Sequence, residues 1–144
     1  MTPNTPQKIC LAFLVFLFIF WIVLFISGST TGFYNYLYSF LFGLIPLIGG
    51  ITAMRRVRVW GGFKNAVGKA VFFIGLGLFP WGFGEMIWSY YNFFLHIPAP
   101  YPSLADIGFA PSIFFYGLGA VYLVKATGVH LTLRGNTYAK VFAV

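Results

Sequence analysis

Residues 9–26 read ICLAFLVFLFIFWIVLFI, an unbroken apolar run without a single charge. An α-helix needs about 20 apolar residues to cross a hydrocarbon core about 30 Å thick, so this run predicts a membrane-spanning helix. A cleaved signal peptide is the alternative interpretation, but its apolar core usually covers only about 7–15 residues. We therefore interpret residues 9–26 as a retained first span.

Three more apolar runs follow, and each is bounded by charged or turn-forming residues. We predict that they span the membrane at residues 33–54, 70–95 and 104–124. The second run stops at Arg55 and Arg56, and the third stops at segment 96–102, where three prolines disfavour helix. Residues 1–144 are thus expected to form a single all-α transmembrane domain, a four-transmembrane-helix bundle.

The composition supports this fold class and argues against several functions. Hydrophobic residues make up 60% of the chain and charged residues 8%, against roughly 25% charged residues in a soluble domain. The net charge of +7 does not indicate nucleic-acid binding, because the Lys and Arg residues punctuate apolar runs instead of gathering on one solvated face. The expected partners are the lipid bilayer and either other membrane protein subunits or a second copy of the chain.

The basic residues lie on one side of the predicted spans. All nine occur at Lys8, in connection 55–69 or from Lys125 onward, and the two opposite connections contain none. Because cationic loops stay in the cytoplasm during insertion, both termini are predicted to be cytoplasmic, in a protein of the plasma membrane. Residues 125–144 form a basic cytoplasmic tail in this interpretation.

Prolines and small residues predict close helix packing. Spans two, three and four each contain one interior proline, namely Pro46, Pro80 and Pro111. Each is expected to kink its helix and to free a carbonyl that needs a partner in lipid. The pairs Gly49 with Ala53 and Gly108 with Ser112 have the small-xxx-small spacing that lets two helices approach.

Glu85 is the main candidate for function, since it lies close to the middle of the third span. An acid there is unfavourable by about 2.5–3.5 kcal/mol, so it is expected to face protein or water. Helical spacing puts Trp81, Trp88 and Asn92 on the same face, which predicts an intramembrane polar and aromatic pocket. The alternative is a structural acid that hydrogen-bonds to a Tyr, an Asn or a free carbonyl.

The second acid, Asp106, has a simpler explanation. Ser103 and Asp106 have the Ser-x-x-acid spacing of a capping box, in which the two side chains accept hydrogen bonds from free backbone N–H groups at a helix start. We therefore predict a helix cap at these two residues and not an acid catalyst.

The chain lacks the residue patterns of an active site, so an enzyme is not expected. The glycines at positions 75, 77, 82 and 84 have neither the spacing nor the preceding strand of a dinucleotide-binding motif. The single cysteine, Cys10, excludes a metal site made of cysteines. The sequence identifies no cofactor.

Two motifs carry a resemblance to a known class of protein. They are Glu85-x-x-Trp88-x-x-Tyr91 and Pro100-Tyr101-Pro102-Ser103-Leu104-Ala105-Asp106. Together with the residues up to about 123 they resemble a multi-span membrane module of bacteria and archaea that commonly precedes diguanylate cyclase or histidine kinase domains. The resemblance implies a sensory-type regulatory module that works through another protein.

Three functional hypotheses stay open on the sequence. The first is a non-catalytic protein, either an accessory subunit of a membrane complex or the sensory-type module. The second is a small proton-coupled homodimeric transporter with Glu85 as its coupling acid, in the style of compact four-span exporters. The third is a pigment- or quinone-binding subunit, suggested by an aromatic content of 22%.

Overall fold

A computed structural model describes residues 5–28 and 31–128, and this part of the chain is helical without strands. The four long helices are α1 (Thr5–Ile26), α2 (Phe33–Arg56), α3 (Ala66–Phe93) and α4 (Asp106–Ala126). Two short 3-10 turns, Val57–Trp60 and Gly62–Lys64, connect α2 to α3. All four helices are long and apolar enough to cross a membrane, so the described part of the chain contains the four membrane-length helices that the sequence predicts.

The third helix lies at the centre of the bundle. Helices α2 and α4 each pack along α3, whereas α1 packs on α2 alone among the described helices. The attachment of α1 is sparse, since Leu17 and Leu24 are its only buried residues in the described part of the chain. The bundle is therefore open, with α1 at its edge and three tightly packed helices beside it.

Glycines bring α2 and α3 into contact. A Cβ atom at Gly82 would lie 2.5 Å from the backbone nitrogen of Leu47, and one at Gly75 would lie 2.9 Å from Cβ of Ala53. On α2, a Cβ at Gly50 would lie 2.6 Å from the backbone nitrogen of Phe79. Each approach is closer than a side chain permits, so the contact depends on glycine. Of the predicted pair Gly49 and Ala53, Ala53 lies in this close contact, and the close glycine on α2 is Gly50, the neighbour of Gly49.

The contact between α3 and α4 is built in the same way. A Cβ at Gly77 would lie 2.7 Å from the Tyr116 ring, and one at Gly84 would lie 2.9 Å from the carbonyl oxygen of Ala105. Gly108 packs against the backbone of α3 at Gly84, and the neighbouring Ser112 is fully buried. The predicted pair of Gly108 and Ser112 does lie in this interface.

Helix α3 begins at Ala66, earlier than the predicted start at residue 70. The Asn65 side chain caps it by accepting a hydrogen bond from the backbone N–H of Val67 at 3.0 Å. Lys69 fits in the first turn because its ammonium group lies over the Tyr122 ring, 5.4 Å from the ring centre. The sequence prediction placed Lys69 outside the third span because of its charge. In the structure Lys69 lies inside α3, so that prediction was wrong at this end.

Helix α4 is preceded by a capped turn. The Asp106 carboxylate accepts a hydrogen bond from the backbone N–H of Ser103 at 2.6 Å, and the Ser103 hydroxyl accepts one from Ala105 N–H at 3.2 Å. The helix starts at Asp106 and ends at Ala126, two residues later at each end than predicted. Lys125 thus belongs to α4, and the part of the predicted tail from residue 129 onward lies outside the described residues.

The three interior prolines lie within their helices. Pro46 is in α2, Pro80 in α3 and Pro111 in α4, and each helix continues on both sides of its proline. The kinks expected at these positions remain a prediction.

Candidate functional site

A groove runs between α2 and α4, with α3 as its floor. Its first part has a volume of about 330 Å³ and is lined by Tyr38, Ser39, Phe42, Glu85, Trp88 and Phe109. Its second part, of about 340 Å³, shares Phe42 and is lined further along by Pro46, Gly49, Leu78, Trp81 and Tyr116. We call these residues together the α2–α4 groove.

Glu85 lies in the floor of this groove and is half-buried. The side chain of Trp81, one turn earlier on α3, lies near its carboxylate. On the α2 side, a Cβ atom at Gly43 would lie 2.6 Å from Cβ of Glu85, so glycine at position 43 makes room for the acid. The groove residues include no Lys or Arg that could neutralise it.

The predicted stripe on α3 is divided in the structure. Trp88 lines the groove beside Glu85, and the Trp81 ring lies 5.8 Å from the Phe109 ring and 6.2 Å from that of Tyr116. Asn92 is buried, and its side-chain amide donates a hydrogen bond to the Trp88 carbonyl oxygen at 3.0 Å. Glu85, Trp81 and Trp88 therefore belong to one site, whereas Asn92 bonds to its own helix.

The walls of the groove come from residues that the sequence interpretation did not single out for a site. On α2 these are Tyr38, Ser39 and Phe42, and on α4 they are Phe109 and Tyr116. Phe109 and Tyr116 are seven residues apart, a spacing that puts both on one helix face. Helical periodicity could have grouped the residues within each helix, but it could not have shown which face meets α3.

A second cleft opens elsewhere between α2 and α3. Its volume is about 470 Å³, and Phe33, Phe40, Met86, Ser89 and Phe93 are among its lining residues. The Ser89 side chain is 1% exposed, and its hydroxyl has no hydrogen-bond partner among the described residues. A buried hydroxyl without a partner costs about 1–3 kcal/mol, so Ser89 is expected to lower the stability of the bundle.

The described residues contain no group of three or more His, Cys, Asp or Glu side chains that could hold a metal ion. The chemistry at hand in the groove is that of a carboxyl group among aromatic rings and hydroxyl groups: hydrogen bonding, binding of a cation and exchange of a proton. Comparison of the chain with protein-family models, curated proteins and solved structures finds no match.

Proposed function

We propose that this protein is a non-catalytic membrane subunit that binds a transmembrane segment of a second membrane protein in the α2–α4 groove. Glu85 is the polar anchor of that contact. The observation that carries the proposal is a half-buried carboxyl group in an open groove between α2 and α4.

The energetics favour an incoming polar group. An acid at the centre of a span is unfavourable by about 2.5–3.5 kcal/mol, and ionisable groups at that depth usually face another helix. A carboxylate can accept several hydrogen bonds, and the groove residues include no Lys or Arg to pair with Glu85. A Lys, Arg, His or amide side chain from a partner helix would use that capacity.

The shape of the groove suits a helix. It extends along α2 from Tyr38 to Gly49, about 16 Å at 1.5 Å per residue, which is roughly half of the hydrocarbon thickness. Aromatic side chains form its walls. Gly49, which has no side chain, lines the groove where another helix backbone can come close. Short polar contacts combined with small residues are typical of helix pairs in membranes.

The resemblance of residues 84–123 to sensory-type membrane modules supports the same class of function. The resemblance implies a module that acts through another protein. In either form, as an accessory subunit or as a sensory-type regulator, the partner is a membrane protein and the chain itself performs no reaction.

We also propose that the protein lies in the plasma membrane with both termini in the cytoplasm. The support is the distribution of basic residues. The segment from the last turn of α2 to the first turn of α3 contains five of them, Arg55, Arg56, Arg58, Lys64 and Lys69, whereas the connection between α3 and α4 contains none. Positive loops are retained on the cytoplasmic side.

A proton-coupled homodimeric transporter is the second candidate, and the position of Glu85 in an open groove is the observation that favours it. In that case the group that meets Glu85 comes from a cationic substrate, and another copy of the chain covers the open side of the groove. Glu85→Gln would then leave the protein folded and abolish transport, since an amide keeps hydrogen bonds but exchanges no proton.

Photo-crosslinking in the native membrane distinguishes the two candidates. A benzophenone amino acid replaces Phe42, which lines the groove, or in the matched control Phe83, which is 50% exposed and does not line it. We expect the Phe42 probe to label one membrane protein of a different sequence. Glu85→Leu should abolish this adduct, and Glu85→Gln should retain part of it.

Two results would contradict the proposal. Equal labelling from Phe42 and Phe83 would mean that the groove is ordinary lipid-facing surface. An adduct formed only with a second copy of the chain would replace the subunit proposal with the transporter.

A further inference from the structure

A cleft between α1 and α2 lies at the end of α2 where the basic residues cluster. Its volume is about 550 Å³, larger than either part of the α2–α4 groove. Apolar residues such as Phe13, Leu14 and Ile48 line its length, and Thr52, Arg56 and Trp60 line its polar end. We call it the α1–α2 cleft.

The cleft exists because α1 packs so sparsely. In this region α1 presents Cys10, Phe13 and Leu14 to α2, yet the two helices stay far enough apart to leave the cleft between them. An apolar gap of this size in a membrane protein lies within reach of lipid chains, and pockets of about 300–1,000 Å³ hold ordinary ligands.

The charge at its polar end has no counterpart in the described part of the chain. Arg56 is exposed, and Arg55 and Arg58 are exposed beside it. Glu85 lies against Gly43, about 20 Å from Arg56 along α2 at 1.5 Å per residue. Asp106, the other acid, lies beyond the opposite end of α3 and accepts a hydrogen bond from Ser103.

We infer that the α1–α2 cleft is a binding site for an anionic phospholipid. The phosphate group meets the guanidinium group of Arg56, and one acyl chain fills the space beside Phe13, Leu14 and Ile48. Arginine is suited to phosphate because its planar group donates two parallel hydrogen bonds. Basic pockets between transmembrane helices are a recurring kind of site for anionic head groups.

Two further residues fit this occupant. Trp60 is 53% exposed at the end of the cleft, and tryptophan favours the level of the lipid head groups. Thr52 lies one helical turn before Arg56 and offers a hydroxyl group to the glycerol ester region. The cleft shares Ile45 and Gly49 with the α2–α4 groove but includes neither Glu85 nor Phe42, so its test through Arg56 does not depend on the proposed function.

The experiment counts lipids retained on the purified full-length protein by native mass spectrometry. The protein is equilibrated with phosphatidylglycerol or with phosphatidylcholine of identical acyl chains. We expect preferential retention of one phosphatidylglycerol. Arg56→Gln should weaken this by about fivefold, which corresponds to about 1 kcal/mol for one basic residue near the lipid surface.

Arg58→Gln is the matched control, because Arg58 is exposed nearby and does not line the cleft. It should change the retention less than twofold. Equal retention of the two lipids would overturn the inference, and so would equal losses in both variants, which would indicate a diffuse surface charge.

The single cysteine gives a second measurement inside the cleft. Cys10 lines it and is accessible, so alkylation of its thiol by a small reagent reports whether the cleft is filled. Added phosphatidylglycerol should slow alkylation in the original protein and in Arg58→Gln, and should have a smaller effect in Arg56→Gln. An alkylation rate that does not change with phosphatidylglycerol would also overturn the inference.

Discussion

The tight contact between α2 and α3 predicts a large penalty for one added methyl group. In Gly82→Ala the new Cβ atom would lie 2.5 Å from the backbone nitrogen of Leu47 and 2.7 Å from its Cα. Both atoms belong to the backbone of α2, so no side chain can rotate away. The two helices must move apart instead.

The size of the effect follows from these distances. Carbon atoms in contact are about 3.5–4.0 Å apart, so α2 has to retreat by about 1 Å at this point. Overpacking of this kind costs about 1–3 kcal/mol. Gly117→Ala is the control, because its Cβ would have no atom within 4 Å and alanine favours helix by up to about 1 kcal/mol. The gain in helix propensity applies to both variants, so they should differ by the overpacking cost of about 1–3 kcal/mol in the free energy of unfolding.

The assay is reversible unfolding in mixed micelles of a mild detergent and sodium dodecyl sulfate. Tryptophan fluorescence reports it, since Trp81 and Trp88 lie on α3. Gly82→Ala should unfold at a lower fraction of dodecyl sulfate than the original protein, and Gly117→Ala at an equal or higher one. If both variants had the same midpoint, the close approach of α2 to α3 would be refuted.

Two further predictions concern a buried hydroxyl group and the topology. Ser89→Ala should stabilise the protein by about 1 kcal/mol, because it removes a buried hydroxyl that has no partner among the described residues. Ser112→Ala should destabilise it, because it removes the 2.8 Å hydrogen bond from the Ser112 hydroxyl to the Gly108 carbonyl oxygen. Equal midpoints of the two variants in the same unfolding assay would contradict this prediction. In a Cys10→Ser background, an impermeant maleimide applied to intact cells should label Ala99→Cys and not Lys64→Cys, and the opposite pattern would invert the proposed orientation.

The helices were predictable because each one is determined by the residues of its own segment. Apolar length and the proline-rich segment after α3 determine where the spans occur. The ends were less predictable, since they depend on single contacts such as the Asn65 cap and the placement of Lys69 on Tyr122. The Asn65 cap can be predicted from the sequence. The contact of Lys69 with Tyr122 joins α3 to α4, so it can be predicted only once the packing of these helices is known.

The candidate site could be predicted on one helix only. Helical spacing grouped Glu85 with Trp81 and Trp88, and all three lie in the groove. The same spacing included Asn92, because periodicity gives direction around a helix but does not show whether a polar group is satisfied by its own backbone. Partners on α2 and α4 depend on how the helices pack, which a pattern within one helix does not encode.

The spacing of the glycines on α3 explains how α2 and α4 are arranged around it. Gly75 and Gly82 meet α2, Gly77 and Gly84 meet α4, and within each pair the spacing is seven residues. The two pairs are offset by two residues, which is about 200° around a helix at 100° per residue. Helices α2 and α4 are thus drawn to nearly opposite sides of α3, where neither can cover the faces between them. Glu85 lies roughly 60° from the direction of Gly82 and 100° from that of Gly84, on one of these faces, which the α2 backbone at Gly43 covers only in part. The groove is therefore a consequence of the glycine spacing, and the acid occupies the face that this spacing leaves open.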